Sequence, residues 1–174
     1  MTTLPILKWL PTKNFSARTT KISLIVVHDT EGGYQGAIAT FMNSHAKVSA
    51  HLVLKEDGSE ATQMVGFHEK AWACCAFNSM SLNLEMAGFI AKGYSVGELN
   101  EAALIVAYLA HRYDVPLTWS RTGHTPGICR HRDLGKAGGG HTDPCDDSTW
   151  SKFMDLVESE NHTAEWPSTM WGRD

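Results

Sequence analysis

The hydrophobic pattern opens with Ile22 to Val27, apolar apart from Ser23 and rich in β-branched residues. That is the pattern of a strand covered on both faces. It stops at His28-Asp29-Thr30-Glu31-Gly32-Gly33, and a polar cluster at the end of a central strand is where α/β folds commonly place chemistry. From Tyr34 to His45 the apolar positions 34, 37, 38, 41 and 42 fall at helical spacing. Val48 to Leu54 reads as a strand, Asp57-Gly58 as a turn, and Ala61 to Val65 as the returning hairpin partner. Leu82, Leu84 and Met86 alternate with Asn83, Glu85 and Ala87, which predicts a half-buried strand with a polar second face. Glu98 to Tyr113 carries the longest helical stripe, through Ala102, Ile105, Val106, Leu109 and Tyr113. A loop-rich stretch follows from Leu117 to Gly140, and then a final helix capped by Asp147 or Ser148 and running through Val157, with Trp150, Phe153 and Met154 inward.

These elements predict an α/β fold: one domain over residues 21–160, with a central mixed β-sheet flanked by helices and the chemistry at strand ends. Residues 1–20, broken by Pro5 and Pro11, read as an irregular extension, and 161–174 as a tail or linker. A chain of 174 residues suffices for one real core, and 43% apolar with 20% charged residues is the composition of an ordinary globular protein. The net charge of −4 argues against a nucleic-acid partner, which calls for a basic surface. No run approaches the roughly 20 apolar residues of a membrane span. Met1 to Leu10, with Pro5, Lys8 and Trp9, lacks the apolar segment of a secretory signal, so cytosolic synthesis without a leader is expected. Adjacent Cys74 and Cys75 do not suit a mutual bridge; Cys129 and Cys145 leave one open, with free thiols as the default.

Nine histidines change the picture, because imidazole is the commonest zinc ligand. His131-Arg-Asp-Leu is followed, across a glycine-rich loop, by Gly140-His141-Thr142-Asp143-Pro144. A catalytic zinc site needs three protein ligands and leaves the fourth corner to water. His28 at a strand end, with His131 and Asp143 brought together by a flexible loop, supplies such a set. The spacing alone leaves other triplets open, such as Cys129, His131 and His141.

In this order the chain contains Leu24-Ile-Val-Val-His28, Val48-Ser-Ala-His51-Leu-Val-Leu, Asp57-Gly58, Trp72, Asn78-Ser-Met-Ser81-Leu-Asn-Leu-Glu85-Met-Ala-Gly88, His131-Arg-Asp133-Leu and Thr142-Asp143-Pro144. The ordered set, from about residue 22 to 158, resembles the type-2 N-acetylmuramoyl-L-alanine amidases: phage endolysins, muropeptide-recycling amidases and peptidoglycan-recognition proteins. The resemblance implies Zn2+ held by His28, His131 and Asp143, with Glu85 as general base. It also implies peptidoglycan as substrate, cut between N-acetylmuramic acid and L-alanine, and a monomer that does not insert into membranes. His141 stands where the family often has a lysine that stabilises the transition state. Trp72, Asn78 and His51 fall on segments expected to border the substrate. Two departures concern that border: Trp72 is followed by Ala73-Cys74-Cys75 rather than histidine, and Asn83 replaces a glycine. Within the family, the glycine-rich ligand loop and the tryptophan-bearing tail favour a phage-type endolysin over a recycling amidase or a non-catalytic binding module.

Overall fold

The computed structural model describes residues 4–163, 166 and 171–174. Eight strands and three α-helices alternate along them: β1 (Ile6–Trp9), β2 (Phe15–Ala17), β3 (Leu24–Asp29), α1 (Tyr34–Met42), β4 (Leu52–Leu54), β5 (Glu60–Gln63), β6 (Glu69–Ala71), β7 (Ser81–Met86), α2 (Val96–Tyr113), β8 (Gly127–Arg130) and α3 (Asp147–Thr163). Six strands make one mixed sheet in the order β1-β5-β4-β7-β3-β8, parallel at every pairing except β4 with β5; β2 and β6 form a separate antiparallel ribbon. The sequence thus specified the fold class, a central mixed sheet flanked by helices. Among the described residues no helix is long and apolar enough to cross a membrane.

Strand alternation explains the layers. Ile25, Val27, Leu82, Leu84, Met86 and Ile128 point to one face, where α2 and α3 cover them and bury Ile105, Val106, Trp150 and Phe153. Each such side chain removed from water contributes about 1.5–3 kcal/mol. On the opposite face α1 packs Tyr34, Ile38 and Phe41 over Val53 and Met64. Beside it Leu24, Val26 and Cys129 meet Cys74, Phe77 and Leu134. His28 follows Val26 on that second face, and the register opposes His28 to Glu85 and Val26 to Asn83.

Several expectations need correction. The lead-in is not irregular: β1 adds an edge strand to β5, and β2 pairs with β6. Within Val48 to Leu54 only the last three residues are strand. Strand β7 is not half-buried; it lies between β4 and β3, and every residue but Glu85 is buried. Strand β8 lay hidden in the loop-rich stretch because four residues, two of them Gly127 and Arg130, carry no strand signature. Helix α3 is capped one residue earlier than expected: Asp146 Oδ1 accepts from Thr149 N at 2.8 Å. The helix also runs past Val157 to Thr163. The tail is no free linker where it is described. Trp171 Nε1 donates to the Pro5 carbonyl at 3.1 Å, Phe67 N donates to the Arg173 carbonyl at 2.9 Å, and Arg112 pairs with Asp174. Residues 164, 165 and 167–170 of that tail lie outside the described set. All four cysteines are free, Cys129 and Cys145 included.

The start of α2 is fixed against the β4–β5 turn by a crossing of two glycine backbones. A Cβ on Gly97 would stand 2.8 Å from the Asp57 carbonyl oxygen, and one on Gly58, at φ +76°, would stand 2.6 Å from that of Gly97. Gly→Ala inside a helix ordinarily stabilises by about 1 kcal/mol. Here Gly97→Ala is expected to do the reverse, lowering stability by about 1–3 kcal/mol through overpacking. Urea denaturation read by circular dichroism checks the sign.

Candidate metal centre

Three side chains from distant parts of the chain converge at the carboxyl ends of β3 and β8. His28 belongs to β3, His131 follows β8 directly, and Asp143 arrives on the loop before α3; their residues are 2%, 4% and 6% exposed. His28 Nδ1 and His131 Nδ1 are 3.0 Å apart, His131 Nδ1 and Asp143 Oδ1 3.4 Å, and His28 Nδ1 and Asp143 Oδ2 3.9 Å. Ligands at zinc bond lengths on a tetrahedron stand about 3.3 Å apart. Of the triplets left open by the sequence, this is the one among the described residues whose donor atoms meet.

The second nitrogen of each ring explains why these donors face inward. His131 Nε2 donates to the Gly138 carbonyl at 2.8 Å, and a carbonyl only accepts, so its Nδ1 carries a lone pair. His28 Nε2 donates to Asn83 Oδ1 at 3.0 Å; Asn83 Nδ2 faces Ser81 Oγ at 3.1 Å and His51 Nδ1 at 3.5 Å, and because that ring nitrogen already accepts from Asn83 N, the amide stands with its oxygen towards His28. Two imidazole lone pairs are therefore aimed at one point from 3.0 Å apart. They repel each other unless a cation lies between them, and this donor set fits a divalent zinc ion. Burial, then the neighbouring His131, lowers the His28 pKa to about 3, so this ring is neutral, the ligating form, at any physiological pH. Burial pushes Asp143 up, but its close contact with His131 and the hydrogen bond that it accepts from Asp29 N outweigh this and hold it below the usual carboxylate value.

The ligand loop is pinned from both sides. Asp29 N donates to Asp143 Oδ2 at 3.1 Å, and Arg132 N donates to the Asp143 carbonyl at 3.0 Å. Tyr94 Oη lies 2.7 Å from Asp29 Oδ2 and 2.9 Å from the Pro144 carbonyl, tying the two ends of this arrangement together. Gly139 and Gly140, at φ +115° and +78°, let the chain turn sharply between Gly138, which holds His131, and the aspartate.

Around the three ligands, Glu85 reaches in from β7 with Oε1 4.0 Å from His28 Nδ1. Burial first, then Asp143 and Asp29, pushes its pKa up to about 8. His141 stacks on His131 with centroids 4.1 Å apart, and its half-exposed ring has Nδ1 3.7 Å from Asp143 Oδ1. The structure therefore gathers Glu85 and His141 beside His28, His131 and Asp143. It does not gather the residues expected at the substrate. His51 is wholly buried: its Nδ1 accepts from Asn83 N at 3.0 Å, and its Nε2 lies 3.2 Å from the Arg18 guanidinium. Its expected substrate contact is corrected to a supporting role beneath Asn83. Asn78 spends its carbonyl on its own turn, accepting from Ala73 N and Cys74 N at 3.0 and 2.6 Å. Trp72 Nε1 donates to Ser16 Oγ on β2 at 3.0 Å.

Sequence reasoning missed Asn83 as the group that orients His28, although a polar residue on the same strand face as Glu85 was the available signal. Tyr94 carried no comparable signal, and Asp29 was marked only as part of the polar cluster that ends the first core strand.

The family profile described as N-acetylmuramoyl-L-alanine amidase matches residues 18–146, and the chain belongs to that family. It is 27% identical over 162 residues to N-acetylmuramoyl-L-alanine amidase A of Achromobacter lyticus, an alignment covering 86% of this chain and 92% of that one. Its fold is similar to that of the Staphylococcus aureus hydrolase AmiA in complex with its ligand, at TM-score 0.75 and 18% identity, covering 92% of this chain and 85% of that one. The PlyG catalytic domain is likewise similar, at TM-score 0.69 and 18% identity, covering 93% of this chain and 99% of that one.

The orienting hydrogen bond is testable through metal affinity. Asn83→Leu is expected to weaken zinc binding by about 10–100-fold, the usual cost of losing the partner of a ligating imidazole. A competitive chelator titration measures it, and an unchanged affinity refutes the orienting role.

Proposed function

We propose that this chain is a zinc-dependent hydrolase of the amide bond between N-acetylmuramic acid and L-alanine in peptidoglycan. The observation that carries this reading is the convergence of His28, His131 and Asp143, with Glu85 and His141 beside them. Membership of the amidase family supports it. In this reading His28 Nδ1, His131 Nδ1 and the Asp143 carboxylate hold the ion. Bound zinc supplies Lewis acidity and a water acidic enough to attack near neutral pH.

The protein's own groups do the rest. Glu85, a buried carboxyl with Oε1 4.0 Å from His28 Nδ1, stands within reach of a water at the metal and of the departing nitrogen, the place of a general acid–base group. It accepts the proton of the attacking water and delivers it to the departing alanine nitrogen as the carbon–nitrogen bond breaks. His141, partly exposed at the rim, donates a hydrogen bond to the negative carbonyl oxygen of the tetrahedral intermediate. Asn83 and the Gly138 carbonyl keep both ligating rings in one tautomer throughout. A non-catalytic binding module has no need of such a converged donor set with a carboxyl beside it.

We take polymeric cell wall as the substrate, in the manner of a phage endolysin. The glycine-rich ligand loop and the exposed rim at His141 favour it, since a polymer needs an open approach. The tail no longer contributes to that preference, because Trp171 docks against the domain.

With zinc bound, Glu85→Gln is expected to reduce kcat by about 10²–10⁴. His141→Ala is expected to cost about 10²–10³. Mass spectrometry of digested peptidoglycan reads the product: intact stem peptides with a free alanine amine, and unbroken glycan. Wild-type turnover in both variants with zinc retained refutes the assignment of roles. Removing the metal with a chelator is expected to abolish stem-peptide release and to lower Tm, and restoring zinc to return both. At a free concentration of about a thousand times Kd, the bound ion stabilises by about 4 kcal/mol. Clearing of a cell-wall suspension is the outcome expected of an endolysin; cleavage of small muropeptides alone assigns a recycling role instead.

A further inference from the structure

At the opposite end of the sheet from the metal centre lies a cavity of about 490 Å³ that none of the roles above uses. Arg18, Lys21, Ile22, His68, Arg112 and Tyr113 line it. Ile22 stands six residues before His28 on the chain that enters β3, about 20 Å at the rise of a strand.

Three of the lining side chains are cations, and none is closely neutralised within the cavity. Arg18 donates to the carbonyls of Ser79, Glu69 and Ser81 at 2.7, 2.7 and 2.8 Å, and its Nε is buried with no hydrogen-bond partner. Carbonyls satisfy hydrogens but carry no formal charge. Burial is the largest influence on this guanidinium and lowers its pKa, the mark of a cation taken from water without an adequate counter-ion. Lys21 lies 3.5 Å from Asp114, but the two side chains are 76% and 95% exposed, so water screens the pair and it contributes little. Arg112 pairs with Asp174 of the docked tail at 2.5 Å. The same Asp174 oxygen accepts from Tyr113 Oη at 2.9 Å and lies 3.5 Å from His68 Nε2. These walls therefore already receive one oxyanion.

Within the lining itself, Arg18, Lys21 and Arg112 face one carboxylate, that of Asp114, and Asp174 adds a second from the tail. The carboxyl end of α2 contributes partial negative charge, which fades within its last turn. The balance is positive, on a chain whose net charge is −4. Ile22, 5% exposed, and the Tyr113 ring give the same cavity an apolar wall. A phosphate ester matches both features: its oxygens engage guanidinium and ammonium together, and its carbon part meets the wall.

We propose that this cavity is a second ligand site, which takes a phosphate ester through Arg18, Lys21 and Arg112. Small phosphate esters and phosphate-bearing polymers share this chemistry, and the site is independent of which bond the metal centre cuts.

Glycerol 3-phosphate and poly(glycerol phosphate) are the probes, titrated into the zinc-loaded protein and followed by two-dimensional NMR. Saturable shifts are expected at Thr20, Lys21 and Asp114, separate from any at His131 and His141, where the ion itself attracts phosphate. Lys21→Glu, at an exposed position that leaves folding intact, is expected to weaken glycerol 3-phosphate by about three- to tenfold. Asp114→Asn removes the opposing carboxylate and keeps a residue that tolerates φ +56°; it is expected to tighten binding by about two- to fivefold. Tighter binding of the polymer, per phosphate, assigns a polymeric ligand, and equal binding assigns the small ester. Shifts confined to the metal centre overturn the proposal, as does an unchanged affinity in Lys21→Glu or in Asp114→Asn.

Discussion

Two imidazole lone pairs forced to within 3.0 Å of each other are the constraint on which this molecule turns. Left alone, either ring gains by rotating away or by protonating. At His28 burial removes the second escape by making charge costly, and a hydrogen bond on the far nitrogen of each ring removes the first. What remains is a pair of inward-facing ring nitrogens with a carboxylate between 3.4 and 3.9 Å away, and a cation is the partner that satisfies all three. The supporting groups belong to this constraint. The Asn83 amide, held by Ser81 below it, and the carbonyl of Gly138 matter as much to the geometry as the ligands they orient.

The sheet makes this arrangement affordable by dividing its labour between faces. One face of β3, β7 and β8 is aliphatic and carries the large core with α2 and α3. The other face of the same strands carries His28, Asn83 and Glu85, in a register that sets His28 beside Glu85. Polar groups buried on that second face are costly unless they are paired, and pairing is what the structure supplies. His51 accepts from the Asn83 backbone, and Arg18 lies against its other nitrogen. These contacts make a polar layer beneath the metal centre, with His51 and Asn83 buried and Arg18 reaching them from the surface.

The chain disclosed its chemistry more readily than its edges. The apolar run ending in His28 marked a buried central strand, and ordered motifs pointed to the ligands, to Glu85 and to His141. Strand β1 escaped because its residues are largely exposed and its partner lies some fifty positions downstream, so neither alternation nor a nearby turn betrays it. Strand β8 is too short to have a period. Asn83 was legible as a departure from a family pattern and as a polar residue on the face of Glu85, but its meaning is local: on that strand face an amide oxygen is what a histidine needs. His51 reads in sequence as a packed or supporting group more than a ligand, although its segment is one expected to border the substrate. A motif histidine next to a strand looks accessible in sequence, and only the packing of Phe67 and Arg18 around it reveals complete enclosure.

The pairing of β3 with β8 has a consequence for how the protein comes into being. His28 and His131 are 103 positions apart, and β8, the last strand in the chain, pairs with a strand near the chain's beginning. Closing so long a loop is entropically slow, and nothing short of the finished sheet brings the rings together. The centre is therefore a property of nearly the whole chain: a nascent polypeptide that has not yet emerged past Asp143 lacks the third ligand, and metal binding is coupled to closure of the sheet.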